Sequence, residues 1–185
     1  MPPPTLLARR SVLRSVGGLL VGAFGVPALA VPARSLRGGF LELTNTHTGE
    51  LLEVALDARL GVEPRAVPRL QRLLRDHRTG EEHTIDQALY AQLLVLAADA
   101  RVEARYEIIS GYRSPATNEQ LHRNSNGVAT RSLHLQGRAL DVRLKGVDCL
   151  RLAELARSRQ SGGVGYYRRS AFVHLDTGGV RTWNG

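Results

Sequence analysis

The segment RSLHLQGRALDVRL, residues 131–144, decides how the rest of the chain is read. From Gly137 onward it alternates, with Ala139, Asp141 and Arg143 on one face and Leu140, Val142 and Leu144 on the other, which is the period-two pattern of a strand. His134 stands seven positions ahead of Asp141, in the turn leading into that strand. Near the C-terminus, SAFVHLDTG (170–178) alternates again and sets Phe172, His174 and Asp176 opposite Val173 and Leu175. If the two strands are antiparallel neighbours, opposed side chains stand about 4.5–5.5 Å apart at Cβ. One Zn²⁺, with ligand bonds of about 2.0–2.2 Å, then fits between Asp141 and His174, and His134 can close over the same ion. Three protein ligands leave one position open for water, the arrangement of a catalytic zinc. The plainer reading is that each histidine makes an ordinary hydrogen bond and the spacing is chance. The single cysteine, Cys149, excludes an internal disulfide and a cysteine-built zinc cage, so any metal here is held by His, Asp or Glu.

Working outward, GFLELTNTHTGELLEVAL (39–56) reads as a β-hairpin around NTHTGE, and Pro64 and Pro68 restrict the next helix to a start near them. Thr84 and Gln87 form a capping-box pattern ahead of Ile85, Leu89, Leu93 and Leu96, predicting a helix from there to about Arg101. YEIIS (106–110) reads as a buried strand, Ser114-Pro115 as the cap and first residue of a helix, and Asp148 as the cap of a helix stopped by Gly162-Gly163. Cys149, within that helix, reads as a small buried apolar group, and His47, His77, His83 and His122 as solvated residues of turns and helix ends. The order of elements predicts one α+β domain over residues 39–185, a central antiparallel sheet with flanking helices.

The chain has 185 residues, 43% of them hydrophobic, enough for one domain with a real core. Its N-terminus reads as an address: Arg9-Arg10, then an apolar run rich in Gly, Val, Leu and Ala, then Ala28-Leu29-Ala30, the order of a signal peptide over residues 1–30. The paired arginines resemble the twin-arginine export signal, and 31–38 reads as a linker. The alternative is an uncleaved anchor, but the run from Gly17 to Ala30 falls short of the roughly 18–20 residues that span a bilayer. The formal charge is +8, and removing residues 1–30 leaves 22 Lys and Arg against 17 Asp and Glu, a net +5. That excess is spread without a dense basic stripe, which argues against a nucleic-acid partner and suits an anionic cell-wall polymer.

The segments SGYRSPATNEQL (110–121), SLHLQGRALDVRL (132–144) and GGVGYYRRSAFVHLDTGGVRTW (162–183) together resemble the murein endopeptidase K group of the zinc D-Ala-D-Ala carboxypeptidase superfamily, which also contains the hedgehog signalling domain. The resemblance implies a periplasmic, zinc-dependent peptidoglycan hydrolase that cuts peptide cross-links, notably those joining two diaminopimelate residues; the N-terminal arginines make twin-arginine export the expected route, and a monomer is expected. It implies that His134, Asp141 and His174 bind one Zn²⁺, and that Arg113 stabilises the tetrahedral intermediate or holds a substrate carboxylate. Some relatives carry an acid three residues before the last zinc histidine, where this chain has Ala171. Asp176 is then the nearest acid and serves either as general base or to orient the metal site. Ser132, Gly163 and Gly165 are expected to shape the site, with Tyr166, Tyr167 and Trp183 lining a groove or packing in the core. Two other functions share these residues: a carboxypeptidase trimming stem peptides, and a non-catalytic zinc-containing wall-binding module.

Overall fold

The structure, a computed structural model, describes residues 39–57, 61–124 and 129–185. The signal segment and linker expected over 1–38 lie outside the described residues. The expected hairpin forms as β1 (Gly39–Asn45) and β2 (Leu51–Asp57), burying Leu41 and Leu43 beside Leu52, Val54 and Leu56. Asn45 closes the turn: its Oδ1 accepts from the backbone N–H groups of His47 and Thr48, and its Nδ2 donates to the Leu73 carbonyl. After the short β3 (Gly61–Val62), Pro64 opens a 3-10 turn and Pro68 sits in the first turn of α1 (Val67–Leu73), where a missing N–H costs nothing. There follow α2 (Gln87–Ala100), β4 (Arg105–Ser110), α3 (Pro115–Asn124), β5 (Ala139–Leu144), α4 (Cys149–Arg159), β6 (Gly163–Tyr167), β7 (Phe172–Asp176) and β8 (Arg181–Asn184).

The strands form one eight-stranded sheet in the order β3-β2-β1-β4-β5-β7-β6-β8. The expected antiparallel centre is present in β4-β5-β7-β6, but two joins are parallel, β1 with β4 and β6 with β8. The physical reason is connectivity. Between β2 and β4 the chain passes through α1 and α2, and it returns beside β1 running the same way. A short loop reverses the chain after β7, and because β8 docks on the far edge of β6 it runs parallel to that strand. Strand β6 was not anticipated, because its Gly163 and Gly165 are poor strand formers.

One face of the sheet is apolar. Tyr106, Ile108, Leu140, Val142, Leu144, Val173 and Leu175 pack with Leu89, Leu93 and Leu96 of α2 and Leu152, Ala153 and Ala156 of α4 in one buried cluster. Burying side chains of this size is worth about 1.5–3 kcal/mol each. Strand alternation therefore turns Asp141, Arg143, His174 and Asp176 to the opposite face.

Two helices are closed at one end by a residue other than the expected one. The cap of α2 is Asp86 rather than Thr84: the Asp86 carboxylate accepts the Ala88 N–H at 3.0 Å and the Thr177 hydroxyl at 2.7 Å, so a tertiary partner chooses between two acceptable caps. Thr84 instead accepts from Gln71 at the surface. Helix α4 spans the expected residues from its expected cap, Asp148, but the residue that ends it is Gln160, left-handed at φ 50°, rather than Gly162-Gly163; Gly163 opens β6. Cys149 occupies the first position of α4, half-buried against the core. Replacing Asp86 by Ala should lower stability by about 1–2 kcal/mol in denaturant titration, while Thr84→Ala should cost less than about 0.5 kcal/mol.

Candidate active site

The pairing of β5 with β7 sets Asp141 directly opposite His174. The row continues across the sheet, with Gly165 of β6 opposite His174 and Trp183 of β8 beside Gly165. A Cβ at Gly165 would stand 2.5 Å from the indole, so glycine is what lets Trp183 lie over β6 and reach His174, with ring centroids 5.1 Å apart. His134 arrives from outside the sheet on the 3-10 turn Leu133–Gln136, which Ser132 caps through its hydroxyl. Gly137 ends that turn at φ 64°, and a Cβ there would strike the Thr84 carbonyl. The glycine between the histidine and the aspartate thus has both a conformational and a steric reason.

The three expected residues converge. His174 Nδ1 lies 2.8 Å from Asp141 Oδ1, His134 Nε2 lies 3.3 Å from the same oxygen, and the two ring nitrogens are 3.2 Å apart. Among the described residues this is the one cluster of three or more His, Cys, Asp or Glu whose ligand atoms gather this closely, all within 4.8 Å. All three residues are buried. The outward nitrogen of each ring is committed elsewhere: His134 Nδ1 donates to the Gly111 carbonyl at 2.7 Å, and His174 Nε2 donates to Asp176 Oδ2 at 3.1 Å. A carbonyl only accepts, so the His134 proton sits on Nδ1 and the Nε2 lone pair points inward.

Asp176 is fully buried and stands behind His174, on the side away from Asp141. Its Oδ1 accepts from the backbone N–H groups of Gly163 and Gly178, and Arg181 holds both oxygens, at 3.2 and 2.6 Å. Arg181 was not anticipated, because an arginine near a chain end carries no pattern that distinguishes it from a solvated one.

The electrostatics follow from this crowding. Burial alone would lower the His174 pKa, but the flanking carboxylates Asp141 and Asp176 outweigh it and raise the value to about 9. Burial lowers that of His134 despite Asp141. Burial opposes ionisation of Asp141 as well, yet the His134 and His174 rings hold it well below the usual carboxylate range. Arg113, brought by the segment between β4 and α3, has its Nη2 3.7 Å from Asp141 Oδ2; burial pulls its pKa down, yet a guanidinium stays charged.

The cluster lies in a cavity of about 600 Å³. Arg113, Arg131 and Ser132 line it, together with Tyr167, Phe172, Arg181 and Trp183. Tyr167 stacks on Phe172 with centroids 4.5 Å apart, and its hydroxyl accepts the Trp183 Nε1–H at 3.0 Å, leaving the phenolic proton free to donate. Tyr166, by contrast, packs against the core. The other histidines lie apart from the cluster: His47 stacks on His77 and His83 on Tyr112, while His122 sits near the exposed end of α3.

Buried imidazoles and a carboxylate aimed at one point, in a cavity bearing guanidinium groups, define a site of the metallopeptidase kind. The chain belongs to the family described as peptidoglycan L,D-endopeptidase MepK, which matches residues 33–183. It is 37% identical over 177 residues to the peptidoglycan L,D-endopeptidase MepK of Escherichia coli K12, covering 95% of this chain and 97% of that protein. It is also 36% identical over 173 residues to the probable peptidoglycan L,D-endopeptidase MepK of Haemophilus influenzae, covering 92% and 93%. No solved structure matches the chain significantly.

The cross-sheet row gives a direct check. Gly165→Val should displace the Trp183 indole, lower stability by about 1–3 kcal/mol in thermal or chemical unfolding, and quench or shift the fluorescence of this single tryptophan.

Proposed function

We propose that this protein is a zinc-dependent peptidoglycan endopeptidase acting in the periplasm on peptide cross-links, notably those between two diaminopimelate residues. The observation that carries the reading is the convergence of His134 Nε2, Asp141 Oδ1 and His174 Nδ1 on one buried point that opens into a cavity. The donor set fits zinc: two imidazoles and a carboxylate, each ring fixed through its other nitrogen by an acceptor. When bound, zinc supplies Lewis acidity and acidifies a water to near neutrality.

The remaining steps belong to the chain. His134, Asp141 and His174 hold the ion. Arg113 reaches the cavity beside Asp141 with its guanidinium largely out of water, where a charged donor is worth most against the oxyanion of a tetrahedral intermediate. Asp176 is assigned to orientation of His174 rather than to proton transfer from water, because it is fully buried and both its oxygens are saturated by His174, Arg181 and two backbone N–H groups. Asp141 is the one carboxylate among the described residues lining the cavity, against three arginines, and this balance favours a substrate bearing free carboxylates, as stem peptides do. Residues 1–30 are assigned as a twin-arginine export signal and 31–38 as a linker. No helix of the described residues is long and apolar enough to cross a membrane.

Incubation of the purified protein with sacculi should reduce cross-linked muropeptides, and a chelator should abolish this until zinc is restored. Shortened stems without loss of cross-links would instead mean a carboxypeptidase, and unchanged muropeptides a binding module. Alanine at His134, Asp141 or His174 should abolish zinc retention. Arg113→Ala should lower kcat by about 10²–10³-fold with zinc content intact. Asp176→Asn should weaken zinc binding by about 10–100-fold yet turn over once saturated with zinc; no turnover at full occupancy would assign Asp176 to proton transfer.

A further inference from the structure

The loop after α1 carries a buried carboxylate for which the site as described has no use. Asp76 is 2% exposed. Burial alone would raise its pKa, but the hydrogen bonds it accepts outweigh burial and hold it at about 2, so it is ionised whenever the protein works. Its Oδ1 accepts the Arg78 N–H at 2.9 Å, closing its own turn, and its Oδ2 accepts the Ser114 N–H at 2.8 Å, 38 residues away.

The second bond falls on the segment that feeds the active site. Residues 111–114 are gripped from two sides. Toward the α1 loop, Tyr112 N–H donates to the Leu74 carbonyl at 2.7 Å, and Ser114 N–H donates to Asp76. Toward the histidine turn, the Gly111 carbonyl accepts from His134 Nδ1 at 2.7 Å, and Arg113 N–H donates to the His134 carbonyl at 3.2 Å. Successive residues of an extended segment point to opposite sides, so the pattern is a short two-sided ladder. Asp76 supplies this rung with its side chain, while its own carbonyl accepts from Gly80. Ser114 then caps α3 by accepting the Thr117 N–H on its hydroxyl. The bond from Asp76 therefore pins the peptide immediately after Arg113, whose side chain reaches to 3.7 Å from Asp141.

We propose that Asp76 is a positioning residue for the peptidase reaction: by holding the Ser114 N–H it fixes the backbone from which Arg113 presents its guanidinium to the cavity. The inference rests on the function proposed above, since it is the work of Arg113 that Asp76 serves. A charge-assisted bond to a backbone N–H is strong and directional, and the short stem of an aspartate leaves it little freedom. Asparagine, of nearly the same size, keeps only one acceptor oxygen and must face one of the two N–H groups with its own amide donor.

The test is a double-mutant cycle on the zinc-loaded protein, with cross-linked muropeptide as substrate. Asp76→Asn should lower kcat by about 10–100-fold, the range seen when an outer supporting hydrogen bond is lost, with KM changed less than about threefold and zinc content unaltered. In an Arg113→Ala background the same substitution should change kcat by less than about threefold, because the group it positions is gone. Equal factors in both backgrounds, or a loss of rate that follows a loss of zinc, would overturn the proposal. If Asp76→Asn does not fold, Asp76→Ser, which retains one oxygen acceptor, takes its place in the cycle. A second readout does not depend on turnover: the Arg113 side-chain Nε–H resonance should be sharp and slow to exchange in the parent and broadened in the Asp76 variant, and an unchanged resonance would overturn the inference. If the parent protein leaves cross-linked muropeptides intact, the functional reading fails, while the resonance still decides whether Asp76 positions Arg113.

Discussion

The structure depends on the register between β5 and β7, which sets Asp141 opposite His174 and Ala139 opposite Asp176. Side chains on a strand alternate, so a slip of one residue would turn Asp141 into the apolar cluster beneath α2 and α4 and expose Leu140 in its place. The same hydrophobic alternation that folds the sheet thus holds the acid and the imidazole on the open face. Packing on one side of the sheet specifies the chemistry on the other.

What surrounds that pair is a graded set of supports. His134 enters on a capped 3-10 turn and is fixed by the Gly111 carbonyl; His174 is fixed by Asp176; Asp176 in turn is fixed by Arg181 and two backbone N–H groups. Each support satisfies a buried polar group that would otherwise cost about 1–3 kcal/mol. The inward-facing atoms are the exception, crowded around one point with like lone pairs in apposition.

The cavity shows a related economy. Gly165 gives up a side chain so that Trp183 can span the sheet from β8 to His174, and Trp183 in turn ties down the Tyr167 hydroxyl and lies under the Arg181 guanidinium, 5.2 Å from the ring centroid. These contacts brace the aromatic residues of the cavity against one another, while Arg131, which also lines it, is exposed.

Much of this was legible in the residues themselves. The alternation of 139–144 and 172–176 and the caps at Ser114 and Asp148 are local, and local periodicity and capping report themselves in the chain. The candidate ligands could be named because their spacing and motif are also local, once the resemblance had weighted them. The pairing partners, the two parallel joins, the strand built on Gly163 and Gly165, the choice of Asp86 over Thr84, and the placement of Arg181 behind Asp176 were decided only in three dimensions. Each depends on a contact between residues remote along the chain or on space left by a missing side chain. No one-dimensional pattern encodes which distant group will fill it.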